Sequence, residues 1–148
     1  KLRTLWSTKN CWNYALRVLI YVGLRRGDRV TIREISDSFQ ISHHHQMKVV
    51  SDLVRMGYLD AQRGSGGGIK LARPASEIGL ANVILDMEED MNLVTCFSGE
   101  GKCVIQPVCR LRAALKEALT AYMNSLKAHS LDDLIAPEKA LSRLLHIA

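Results

Sequence analysis

Two short helical patterns joined by a tight turn, a glycine-tipped hairpin straight after them, and one long amphipathic pattern near the C-terminus predict a mainly α protein. The architecture they describe is a winged helix-turn-helix with a small β-hairpin wing and a long C-terminal helix. A length of 148 residues, 47% of them hydrophobic, suits one domain or one small domain with a helical extension. No apolar run approaches the length of a membrane span.

The elements follow in order. A helix is expected from about Asn10 to Gly23, with Tyr14, Leu16, Leu19, Ile20 and Val22 on a broad apolar face. No carboxylate precedes Asp28. Gly27-Asp28 ends the helix, and Thr31-Ile-Arg-Glu34 fits a capping box, with Ile32, Ile35 and Phe39 facing a core. After a turn at Gln40-Ile41, Ser42 should cap the next helix, whose buried stripe is read as Met47, Val50, Leu53 and Val54. Gly57 fits its C-terminal cap. Tyr58 to Arg63 and Ile69 to Leu71 then make two short strands around Gly64-Ser-Gly-Gly-Gly68. The glycines carry no G-K-[ST] and no helix follows, which argues against a nucleotide loop. A shorter helix from Gly79 (Leu80, Val83, Ile84, Met87) leads through Glu88-Glu-Asp90 into a cysteine-bearing loop. Pro107 is expected to start the long helix, with Leu111, Leu115, Ala118, Leu119, Tyr122 and Leu126 on one side. That helix runs for roughly 30 Å after a complete small domain, which favours a dimer seam over a buried stripe. Ser130 caps a last short helix, and the tail carries no signal.

Charge is distributed unevenly. Residues 1–80 carry 13 Lys and Arg against 6 Asp and Glu, whereas residues 81–148 carry 7 against 9. A basic first half is the electrostatic footprint of nucleic-acid binding, although a merely soluble basic face has the same composition. The expected organisation is therefore a DNA-binding winged helix-turn-helix over residues 1–80 (helix-turn-helix about 31–57, wing about 58–73). A linker helix and cysteine loop would follow over 81–106, and a dimerisation helix and tail over 107–148.

Cys96, Cys103 and Cys109 are spaced C-x6-C-x5-C, the first two in a glycine-bearing loop and the third at the start of the long helix. Thiolates converging from a loop and a helix start suit a soft metal or an iron–sulfur cluster, and a helix N-terminus favours the thiolate form of Cys109. The spacing is not that of structural zinc pairs or common ferredoxins. A disulfide plus a spare thiol, or three unrelated buried cysteines, would give the same letters. No signal peptide opens the chain, so a cytoplasmic location is expected, where disulfides are rare. Cys11 reads as a small, partly buried hydrophobe.

His43, His44 and His45 could be metal ligands, but consecutive helical residues point about 100° apart and cannot chelate one ion from one regular helix. At the N-terminus of a recognition helix they fit DNA contact, together with Ser42. Gln46 suits bidentate adenine contact, Lys48 and Arg55 suit phosphates, and Arg63 with the wing tip Ser65, Gly66 and Gly67 suits a minor groove. No catalytic triad, acid pair or cofactor fingerprint is present, so an enzyme is not expected.

On Tyr14-Ala-Leu-Arg17, the Ser42-to-Leu53 helix with its Met47-Lys-Val49 core, Arg63-Gly-x-x-Gly-Gly68, Lys70-Leu and the three cysteines, the chain resembles the Rrf-type winged-helix iron–sulfur transcriptional regulators over about residues 13–135. Leu93-Val-Thr-Cys96, Pro107-x-Cys109-Arg-Leu and Leu131-x-Asp-Leu134 are most similar to the family's nitric-oxide-sensing repressors. The resemblance implies a homodimer on a pseudo-palindromic double-stranded DNA operator. It also implies an iron–sulfur cluster, [2Fe-2S] or [4Fe-4S], held by Cys96, Cys103 and Cys109 and attacked by nitric oxide. Asn13 stands where some members place an aspartate as the fourth cluster ligand. An iron–sulfur-status or thiol-redox regulator of the same fold, and a zinc-stabilised DNA-binding protein, are the alternative readings.

Overall fold

The computed structural model describes residues 11–88, 91, 94–97, 99 and 103–147. The opening ten residues, and with them part of the expected domain 1–80, lie outside it, as do Glu89, Asp90 and Leu93 of the linker and motif readings.

Helix α1, Cys11–Leu24, is apolar on nearly every side, and the molecule is packed around it. Ala15, Val18 and Leu19 are fully buried, and the helix touches α3, α4, α6 and the second strand as each is reached. Helix α2, Ile32–Phe39, opens on the expected capping box: the Glu34 N–H donates to Thr31 Oγ1 at 3.2 Å and the Thr31 N–H donates to Glu34 Oε2 at 2.6 Å. Its end is sharp because Gln40 adopts a left-handed conformation, φ 53°. Helix α3, His43–Arg55, follows after Ile41 and Ser42 and stops at Met56, with Gly57 at φ 77° as expected for the cap.

Strands β1, Leu59–Gln62, and β2, Gly68–Leu71, pair antiparallel with Leu59 opposite Leu71 and Ala61 opposite Ile69. The hairpin is tied to the body at three places. Val30 exchanges two backbone bonds with Ile69, at 2.9 and 2.8 Å. Arg29 pairs with Asp60, Nη2 to Oδ2 at 2.6 Å, and donates to the Gly68 carbonyl at 3.1 Å. Only glycine fits at the tip, since a Cβ on Gly67 would lie 2.4 Å from the Gln62 carbonyl oxygen.

Helix α4, Leu80–Met87, buries Leu80, Ala81, Val83, Ile84 and Met87 and receives the Tyr58 hydroxyl on Asp86 at 2.5 Å. Burial, followed by that hydrogen bond, pushes the Tyr58 phenol up from its ordinary value. Helix α5, Arg110–Lys127, begins three residues later than expected. Pro107 belongs to a 3-10 turn over Gln106–Val108, and Cys109 is extended (φ −73°, ψ 105°) and caps the helix. A fixed proline φ serves a 3-10 turn as well as the first turn of an α-helix. None of the 18 residues of α5 is buried. Helix α6, Leu131–Ile135, and helix α7, Glu138–Leu144, return the chain to α1: Leu131 is fully buried and Leu145 joins the same core. The tail thus has a packing role that its sequence did not signal. Among the described residues no helix is long and apolar enough to cross a membrane.

Candidate nucleic-acid interface and cysteine segment

The buried stripe of α3 is Gln46, Val49, Val50 and Leu53. It starts one residue earlier than the expected stripe led by Met47 but keeps Val50 and Leu53 of it, so the buried side is turned by roughly 60°. Spacing alone allows both frames, and the polar Gln46 concealed the one that faces α1. Three expectations change in consequence. Gln46, read as an adenine contact, is 0% exposed, and neither its amide nitrogen nor its oxygen finds a partner among the described residues. His45 is half-buried rather than free, its ring edge-on to Tyr14 of α1 at 4.5 Å between centroids. Met47, expected in the core, is 44% exposed.

The open face of α3 is therefore made by His43, His44, Met47, Lys48, Ser51 and Arg55. Ser42 occupies the N-cap position, exposed, but its hydroxyl makes no capping bond. Arg55 is engaged by Asp52 at 2.8 Å, whereas Lys48 makes no ion pair among the described residues. On the wing, Arg63, Ser65 and Gly66 are exposed and Gly67 is half-buried. The exposed α3 face, its helix N-terminus and a basic-tipped hairpin can together meet a polyanion with both hydrogen-bond donors and unpaired positive charge.

At the start of α1, Asn13 Oδ1 accepts a hydrogen bond from Arg17 Nε at 3.1 Å. The Arg17 guanidinium also lies 5.8 Å from the Tyr14 ring centre and 5.9 Å from that of Phe39. Sequence reasoning missed this link between α1 and His45, which joins residues 31 positions apart and leaves no local signal.

None of the four cysteines is in a disulfide. Cys96 lies in a 3-10 turn over Thr95–Phe97 and is half-buried, Cys103 is exposed, and Cys109 is half-buried at the α5 N-cap. Cys109 Sγ accepts the Arg112 N–H at 3.4 Å and so caps α5. Among the described residues no three His, Cys, Asp or Glu side chains are grouped so as to hold a metal ion. The donor chemistry nevertheless fits a soft metal or cluster. Three thiols are present, with no disulfide competing for them, in a segment whose described residues are all outside the buried core.

A family model for Rrf2, described as an iron-dependent transcriptional regulator, matches residues 8–137. The chain belongs to the Rrf2 family. Among curated relatives of this Rrf2-family chain, the HTH-type transcriptional regulator NsrR of Geobacillus kaustophilus is 44% identical over 138 residues, 92% of this chain and 94% of that protein. NsrR of Oceanobacillus iheyensis is 43% identical over 143 residues, 95% and 97% of the two chains. In fold, the Rrf2-family chain matches T. potens IscR with a TM-score of 0.67 over 90% of this chain and 87% of that one, at 16% identity. It is a transcriptional regulator and not an enzyme.

Proposed function

We propose that this chain is a cytoplasmic, homodimeric DNA-binding repressor that senses nitric oxide through an iron–sulfur cluster, [2Fe-2S] or [4Fe-4S], and loses DNA affinity when the cluster reacts or is lost. The observation that carries this reading is identity to regulators named NsrR over nine-tenths of the chain, in a sequence that keeps three free thiols at Cys96, Cys103 and Cys109. Those three thiolates would hold the cluster. When bound, the cluster supplies iron that reacts with nitric oxide.

The protein's own residues supply the rest. His43, His44 and Lys48 on α3 would enter a major groove, with Ser42 at the helix start, while Arg63, Ser65, Gly66 and Gly67 on the wing would approach the neighbouring minor groove. The unburied length of α5, with Leu111 and Tyr122 at 66% and 45% exposure, supports a helix seam between two copies on a pseudo-palindromic operator. Asn13 offers a neutral oxygen, already accepting from Arg17, where an aspartate would bring a charge. It is the weakest of the four candidate ligands.

The test is anaerobic purification followed by iron and acid-labile sulfide analysis and duplex binding before and after a nitric oxide donor. Iron and sulfide should both be present, both should be missing from Cys103→Ser, and nitric oxide should weaken duplex binding. Zinc in place of iron, or full iron retention in Cys103→Ser, would sink the cluster assignment. Unchanged duplex affinity after nitric oxide would sink the effector.

A further inference from the structure

Between residues 11 and 80 every large hydrophobic side chain is buried or half-buried except one. Met47 stands 44% exposed in the middle of the open face of α3, flanked on the helix by His43, His44, Lys48 and Ser51. Its neighbour Gln46 is fully buried with its amide unpartnered. Polar and apolar side chains are thus exchanged at these two positions relative to what burial alone would select. An apolar side chain among groups that hydrogen-bond to DNA calls for an apolar partner. The major-groove edges of the four base pairs offer one such group, the 5-methyl of thymine. Methionine is long, unbranched and polarizable, and so can settle on a methyl without demanding one rigid geometry.

We propose that Met47 is a specificity-determining residue that reads a thymine methyl, one per recognition helix, while His43, His44 and Lys48 supply the polar contacts around it. The inference rests on the reading of α3 as the recognition helix. Specificity at that position would come from burying one methyl group rather than from a hydrogen bond.

The probe is the duplex that the full-length, anaerobically isolated protein selects from a random pool. Each thymine is replaced in turn by deoxyuridine, which removes the methyl and leaves the pairing edge unchanged, and affinities are read by fluorescence anisotropy. Loss of one buried methyl should weaken wild-type binding about fourfold at one thymine in each half-site. Met47→Ala should bind the thymine and deoxyuridine duplexes equally, and Met47→Leu should retain most of the discrimination. If no thymine is sensitive in the wild type, or if Met47→Ala shows the same sensitivity at the same position, the proposal is overturned. Lys48→Ala separates the two levels. If it weakens every duplex while no thymine matters, the recognition helix stands and Met47 does not read a methyl. If it changes neither affinity nor salt dependence, α3 is not the recognition helix and the inference falls with that reading.

Discussion

Gln46→Leu should make this protein more stable. The side chain is completely buried in the stripe it shares with Val49, Val50 and Leu53, and both polar atoms of its amide lack partners. An unsatisfied buried amide costs about 1–3 kcal/mol, and leucine fills a similar volume without polar atoms and without opening a cavity. Taking about 2 kcal/mol, and the entropy of unfolding expected for a chain of this size, the melting temperature should rise by about 4–8 °C. Thermal and urea unfolding of the two proteins, compared at equal concentration and metal content, would measure it. Gln46→Glu is the opposing control, because it places a charge in the same slot and should destabilise strongly. Sequence preference on DNA should be the same for wild type and Gln46→Leu. A Gln46→Leu protein that melts at or below the wild type, or that loses preference at one base pair, would refute the reasoning and turn this face of α3 toward DNA.

Two further outcomes follow from local geometry. Thr31→Ala removes the hydroxyl half of a reciprocal cap and should cost about 1 kcal/mol. It should leave most of the acid limb of stability in place: the Thr31 backbone N–H, which alanine keeps, is the main cause holding the Glu34 carboxyl below its ordinary value, a contribution present above the unfolded pKa and lost as pH falls through the folded one. Urea midpoints at neutral pH and between about pH 3 and 5 would check both parts. Gly67→Ala forces a Cβ against the Gln62 carbonyl and should destabilise the wing by about 1–3 kcal/mol, with duplex affinity falling at the same time as hydrogen-exchange protection in β1 and β2.

Features written in adjacent residues were legible. The Thr31–Glu34 cap, the Gly57 stop and the glycine tip each follow from the geometry of a single turn, and each is where the sequence placed it. Features decided by distant partners were not. The stripe of α3 could be drawn in two frames, and the choice was made by α1, which seats His45 against Tyr14 and draws Gln46 inward. Pro107 was a sound signal for a helical start, but the chain used its fixed φ in a 3-10 turn and left the α-helical cap to Cys109. Spacing and resemblance singled out the three cysteines, yet spacing does not carry a chain path, and their mutual arrangement does not follow from the letters between them.

The junction of α4 with the segment before α6 has a mechanical consequence. The Leu80 N–H donates to the His129 carbonyl at 3.0 Å and the Leu131 N–H donates to the Ile78 carbonyl at 2.8 Å, with Ile78 and Leu131 both fully buried. These bonds close a neck: α4 stays packed on α1, and the chain beyond it, through the cysteines and α5, returns to the body at that neck. Closing a loop of that length costs about 3–4 kcal/mol of chain entropy, which the packing of α6 against α1 offsets. The part of the chain beyond the cysteines is consequently anchored at its far end as well as through the peptide chain. A cut in the backbone between Cys96 and Cys103 should divide the protein into two pieces that remain clasped at the neck, and events at the cysteines can proceed without loosening the core on which α3 is mounted.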